Sequence, residues 1–209
     1  MTRPPPEQVL LAGAAGAIET VIEVPAEVPR GIALVAHPHP LYGGSLDNKV
    51  AQTLARAFVE LGHVAVRTNF RGVGNSEGEH DHGNGEATDL AAIASAMQQR
   101  FGTLPLVLAG YSFGGFVQTR VAGLVEASRL VLVAPAVGRI TGGRDYETSR
   151  VPEDTIVVHG DVDETVPLAN VLAWASPQEL PVVVIPGCDH FFHRKLHIIR
   201  AIVKRAWPS

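Results

Sequence analysis

From residue 31 to its end, the chain alternates short apolar runs rich in valine and isoleucine with longer segments of helical period. Gly31–Ala36, Val64–Phe70, Leu104–Ala109, Leu130–Ala134, Thr155–His159 and Val182–Ile185 read as strands. Between and after them, Leu46–Leu61, Glu86–Phe101, Phe113–Val125, Leu168–Ala175 and Leu196–Trp207 read as helices. In the first of these, Val50, Leu54, Ala57, Phe58 and Leu61 form one stripe. A helix between two strands returns the chain to the same end of a sheet, so the strands lie parallel. Runs that are apolar at every residue need cover on both faces. The expected fold class is α/β, a mostly parallel central sheet with helices on both faces. Thr20–Val24 alternates and stops at Pro25, so one or two leading strands are expected as an antiparallel hairpin at the sheet edge. In such sheets, sites assemble from loops at the carboxyl ends of the strands.

Composition narrows the function classes. A chain of 209 residues with 46% apolar side chains can bury a sizeable core, roughly 70% of its unfolded surface. Charged residues are 18% and the formal net charge is −4, which speaks against a nucleic-acid partner. The longest apolar-plus-glycine run, Val9–Ile18, falls short of the roughly 20 residues a membrane span requires. With three prolines and Glu7 ahead of it, a secretory signal is also a poor fit, so a cytoplasmic location is expected. Cys188 is the lone cysteine, which excludes an internal disulfide and a cysteine zinc cage. It reads as a small buried apolar side chain, the alternative being an oxidation-sensitive thiol.

Gly-x-Ser-x-Gly occurs twice, at Gly110–Gly114 and at Gly74–Gly78. A serine nucleophile needs a sharp turn from strand to helix that lifts its Oγ above the sheet. Ser112 follows the strand Leu104–Ala109 and precedes an apolar helical segment, whereas Ser76 sits in a polar turn. Ser112 is therefore the candidate nucleophile and Ser76 a turn residue. A serine hydroxyl also needs a base, and the base needs an orienting acid. His190 follows the strand Val182–Ile185 and precedes the last helix, where it can reach back over the serine. His193 and His197, four apart on the expected closing helix, read as solvated or capping residues. Asp161 and Asp163 both follow the strand Thr155–His159, and spacing does not choose between them. A tetrahedral intermediate requires backbone N–H donors. One would be Phe113, after the serine and at a helix N-terminus. The other would come from the loop His37–Gly44, where Pro38 and Pro40 lack an N–H and leave His39, Leu41 and Tyr42. The His37-x-His39 pair has no convincingly placed third ligand, so no metal is expected.

Taken together, His37–Pro40 with Gly43 and Gly44, Asn48–Val50, Phe70–Gly74 with Ser76, Gly110–Gly115, His159-Gly160-x-x-Asp163-x-x-Val166-Pro167 and Gly187-x-x-His190-Phe191-Phe192 resemble an α/β-hydrolase. More specifically, they resemble the compact bacterial, dienelactone-hydrolase-like group of hydrolases and esterases. The resemblance implies the α/β-hydrolase fold as one domain over residues 1–209. Residues 1–7, with their three prolines, are expected to be disordered. It also implies Asp163 as the acid and His39 as the loop oxyanion donor, although Pro38 stands where glycine is usual. The Arg71 segment it reads as a structural brace. True dienelactone hydrolases carry a cysteine nucleophile, and here the position is serine.

Only twenty residues separate Ala134 from Thr155, too few for a full cap domain, so an open site taking short acyl groups is expected. The expected function is a serine hydrolase, a carboxylesterase on small-molecule esters, working through an acyl-enzyme with no cofactor. The alternatives are a thioesterase or peptidase with the same triad, or a non-catalytic binding protein on this fold. A monomer or homodimer without nucleic-acid or membrane partners is expected.

Overall fold

The all-apolar runs lie at the centre of one eight-stranded sheet in the computed structural model, which describes residues 3–207. In chain order the strands are β1 (Glu7–Gly13), β2 (Gly16–Glu23), β3 (Gly31–Ala36), β4 (His63–Thr68), β5 (Leu106–Tyr111) and β6 (Arg129–Val133). A two-stranded hairpin follows, β7 (Gly138–Arg139) and β8 (Asp145–Tyr146), and then β9 (Ile156–Gly160) and β10 (Val182–Ile185). The helices are α1 (Lys49–Glu60), α2 (Asn84–Phe101), α3 (Phe113–Val121), α4 (Leu168–Ala175) and α5 (Leu196–Ala206). The sheet order is β1-β2-β4-β3-β5-β6-β9-β10. β1 and β2 form the antiparallel edge hairpin, and every pairing from β4 to β10 is parallel.

Strand alternation sorts the core into two layers. Ile32 and Leu34 of β3 face α2 and α3, in one layer with Leu90, Ile93 and Phe116. Ala33 and Val35 face α1 and α5, packing with Leu54, Phe58, Ile199 and Val203. All six residues of β3, β4 and β5 are buried, as strands covered on both faces must be.

Element ends differ from the sequence reading where local hydrogen bonds intervene. α1 begins at Lys49 rather than Leu46 because the Asn48 side chain caps it, accepting from the N–H groups of Val50 and Ala51 at 2.9 and 3.3 Å. α3 stops at Val121, short of Val125, where the N–H groups of Gly123 and Leu124 reach back only three residues. His193 precedes α5 rather than riding on it, and its exposed ring pairs with half-buried Asp189 at 2.5 Å. Glu7, grouped in the sequence reading with the leading segment, opens β1 opposite Ile22. Residues 1 and 2 of that segment lie outside the described residues. No helix among the described residues is long and apolar enough to cross a membrane.

At the carboxyl end of β3 the chain is locked by His37. Its fully buried ring donates from Nδ1 to the Pro38 carbonyl at 2.6 Å and accepts the Phe70 N–H on Nε2 at 2.9 Å. Both ring nitrogens are thus used, and neither is free to ligate a metal. Burial holds the imidazole down to about 4. The folded state then takes up this proton near pH 4 and the unfolded chain near 6.5, so between the two the unfolded chain binds more protons. Stability is therefore expected to be full above about pH 6.5 and to fall toward pH 4, by on the order of 3 kcal/mol from His37 alone. Buried His63 and His159, lowered for the same reason, push the same way. Urea unfolding at pH 7.5, 6 and 4.5 checks this, and a midpoint unchanged or rising toward pH 4.5 contradicts a neutral His37.

Candidate active site

Ser112 stands at the reversal between β5 and α3 with φ 55° and ψ −120°, in a region that costs a non-glycine residue about 1–3 kcal/mol. The surroundings hold it there. Its N–H donates to the Val133 carbonyl of β6 at 3.0 Å, and its carbonyl accepts from Phe116 and Ala136 at 3.2 and 3.1 Å. The reversal brings backbone against backbone. A Cβ on Gly114 would lie 2.4 Å from the His37 carbonyl oxygen, and one on Gly110 would lie 2.4 Å from that of Gly114. Glycine at these two positions is what allows α3 to start directly above β3. Ser76, in the other Gly-x-Ser-x-Gly, bridges two segments instead. Its hydroxyl donates to Asn69 O at 3.0 Å and accepts from the Glu19 N–H at 2.9 Å.

The structure brings Ser112, His190 and Asp163 into one relay. Ser112 Oγ lies 3.0 Å from His190 Nε2, and His190 Nδ1 lies 2.7 Å from Asp163 Oδ2. Because the carboxylate accepts from Nδ1–H, the Nε2 lone pair is left to accept from the serine hydroxyl. The other oxygen of Asp163 accepts the N–H groups of Thr165 and Val166, at 2.9 and 2.8 Å. Asp161 turns elsewhere, accepting the Cys188 N–H at 3.2 Å and so bracing the loop that carries His190. Cys188 itself is buried, and burial pushes its thiol up, away from the reactive thiolate.

The loop after β3 supplies the remaining group. The Leu41 N–H donates to the His39 ring at 3.3 Å and the Tyr42 N–H to the His39 carbonyl at 3.1 Å, so both turn back into the loop. No acceptor among the described residues takes the His39 N–H. The Phe113 N–H, first in α3, has no intrahelical partner by geometry. The His39 and Phe113 rings pack at 4.7 Å, which brings the two backbone segments together. Burial and the nearby charges of His80, Arg144 and His82 hold the His39 ring down to about 4, keeping it neutral.

A cavity of about 320 Å³ opens over Ser112, walled by Pro38, His39, Tyr42–Gly44, Tyr111, His190 and Phe191. The segment between Ala134 and Thr155 adds one wall. Its β7–β8 hairpin is pinned by Thr141, whose hydroxyl donates to Glu164 O at 2.5 Å and whose N–H donates to Thr165 O at 3.1 Å. Arg144 of the same hairpin also lines the cavity. Two neighbours of the relay went unread in the sequence. The Tyr111 hydroxyl donates to the His190 carbonyl at 2.9 Å, and buried His159 donates to Val166 O at 2.9 Å with its Nε2 3.4 Å from Asp163. Tyr111 occupies a free position of the Gly-x-Ser-x-Gly pattern, so no spacing rule marks it. The Arg71 segment braces α2, its guanidinium reaching Asp89 at 2.8 Å and Gly85 O at 2.9 Å.

Comparison with known proteins bears on this geometry. The model of the family described as serine aminopeptidase, S33 matches residues 43–153, which include Ser112 but neither Asp163 nor His190. Uncharacterized protein RP471 of Rickettsia prowazekii is 32% identical over 200 residues, covering 90% of this chain and 83% of that protein. The crystal structure of XC6422 from Xanthomonas campestris, an α/β serine hydrolase without a lid, superposes with a TM-score of 0.89 at 36% identity, covering 99% of this chain and 95% of that one. An α/β serine hydrolase homologue from Coxiella burnetii superposes with a TM-score of 0.86, also at 36% identity, covering 97% of each chain. A family match across more than half the chain and likenesses over nearly all of it agree with the sheet order and the strained serine turn: this hydrolase belongs to the serine aminopeptidase S33 family of the α/β-hydrolase superfamily.

Proposed function

We propose that the chain hydrolyses carboxylic esters of small acyl groups through a covalent acyl-serine. The observation that carries this reading is the continuous relay Ser112–His190–Asp163, with links of 3.0 and 2.7 Å. In the first half-reaction His190 Nε2 takes the serine proton as Oγ bonds to the substrate carbonyl carbon. The carbonyl electron pair moves onto oxygen, where the His39 and Phe113 N–H groups stabilise it. The C–O bond to the alcohol then breaks, and the imidazolium gives its proton to the leaving oxygen. Water repeats the sequence on the acyl-serine, releasing the acid and restoring Ser112. Asp163 keeps the imidazole in the required tautomer and stabilises its charge, and Tyr111 fixes the His190 backbone.

Peptide hydrolysis is the second reading, favoured by the description of the matching family as serine aminopeptidase. An aminopeptidase must hold a substrate ammonium beside the scissile bond. The cavity over Ser112 is lined by no Asp or Glu among the described residues. That lining favours an ester. The short β7–β8 hairpin in place of a cap leaves the cavity open, which favours short acyl groups.

Hydrolysis of 4-nitrophenyl esters from acetate to laurate is expected to peak at short chains, and a steep preference for twelve carbons or more contradicts the open site. Ser112→Ala and His190→Gln are each expected to lower kcat by roughly 10⁴-fold or more, and Asp163→Asn by roughly 10⁴-fold. Asp161→Asn, by contrast, is expected to stay within about tenfold of the wild type. A fluorophosphonate probe should label the wild type at Ser112 alone. Amino-acid 4-nitroanilides turned over faster than esters would move the assignment to the peptidase reading.

A further inference from the structure

Resting on the esterase reading, we propose that the preferred ester carries a carboxylate, which Arg144 recognises. Apart from the relay histidine and neutral His39, Arg144 is the titratable cation among the described residues that line the cavity over Ser112, and no acidic residue lines it. An anionic group on a bound substrate would therefore meet one positive charge and no competing carboxylate.

The guanidinium is held ready rather than consumed. It lies over the Tyr42 ring at 4.2 Å, and one terminal nitrogen donates to Thr141 O at 3.2 Å. Its Nε is buried and has no hydrogen-bond partner. Among the described residues Arg144 forms no ion pair, whereas Arg67, Arg71, Arg100, Arg129 and Arg200 each reach a carboxylate. That Nε is sealed from the cavity, so a substrate carboxylate would be gripped through the terminal nitrogens, one of which also serves Thr141. Its positive field reaches His39 and contributes to holding that ring neutral, so the charge is felt beside the proposed oxyanion donor.

Arg144 and His39 also form the partition to a second cavity of about 380 Å³, which lies against the Phe113 and Phe116 rings. That cavity is lined by exposed Asp145 and Glu147 together with Arg120 and Arg144, so its acids lie on the far side of the partition from Ser112. The hairpin that carries Arg144 is tied at Thr141 to the loop of Asp163, which fixes the guanidinium relative to the relay.

The test compares matched esters with and without a carboxylate, on either side of the scissile bond. On the acyl side these are 4-nitrophenyl hydrogen adipate and 4-nitrophenyl hexanoate. On the alcohol side they are 4-acetoxybenzoate and 4-methylphenyl acetate. The readout is the ratio of kcat/KM within each pair, for the wild type, Arg144→Gln and Arg144→Lys, with fluorophosphonate labelling of Ser112 in parallel. In at least one pair the ratio is expected to fall about tenfold in Arg144→Gln and to recover in part in Arg144→Lys, the size of one lost charge-assisted hydrogen bond. The same wild-type ratio should shrink with added salt. A ratio that changes less than threefold in both pairs, in a variant that still labels at Ser112, overturns the proposal and leaves the esterase reading standing. A wild type that does not label, or that labels and cleaves neither pair, overturns the esterase reading and this inference with it.

Discussion

The contact between the β5–α3 reversal and the end of β3 is the constraint on which the site depends. Gly114 packs directly against the carbonyl oxygens of Ala36 and His37, closer than any side chain would allow. That approach joins three things in one place: the strained backbone of Ser112, the first N–H of α3 and the loop that carries His39. The strain is affordable because Ser112 is over-determined, bonded through its N–H to β6 and through its carbonyl to α3 and to Ala136. The same close packing explains why the loop after β3 can be proline-rich. Its shape is set by His37 and by the tight turn around His39, and needs little from backbone hydrogen bonds to the sheet.

A second backbone crossing positions the other half of the relay. A Cβ on Gly160, at the end of β9, would lie 2.1 Å from the Cys188 carbonyl oxygen, so the loops of Asp163 and His190 pass against each other. Asp161 and Tyr111 fasten that crossing from two sides, one through the Cys188 N–H and one through the His190 carbonyl. Asp163 then receives two backbone N–H groups, which keep its carboxylate aimed at His190. The geometry at Ser112 is thus the product of four strand ends, β3, β5, β9 and β10, and the hairpin β7–β8 adds the wall that separates this site from its neighbouring cavity.

Much of this was legible in the sequence because it rests on local signals. Periodicity found the strands β3 and β10 and the helix α4 at their observed limits and located the other core strands and helices within a few residues, but it gave β1 no bounds and missed the short β7–β8 hairpin. The ends that shifted did so through single side chains or turns, such as the Asn48 cap of α1, which compete with hydrophobic period on equal terms. The strand-to-helix context separated Ser112 from Ser76, and the structure shows why composition sufficed there: Ser76 needs only a turn and two backbone partners. The parts played by Tyr111 and Arg144 were not legible, since each meets a partner distant in sequence, and His159 stood in a motif without its contact to Asp163, which depends on how the loop after β9 turns.

The chain by itself determined an α/β sheet with helices on both faces, a serine at a glycine-flanked reversal, and a histidine and two aspartates at later strand ends. These follow from apolar period, from glycine's freedom at the turn and from the order of elements along the chain. Tertiary structure decided which aspartate faces the histidine, which amide of the His37–Gly44 loop is left unbonded, and where Arg144 stands. The relay spans 78 residues from Ser112 to His190 and 27 from Asp163 to His190. Over such separations hydrogen-bond geometry depends on how strands are ordered in the sheet and how closely loops cross, which no local period encodes.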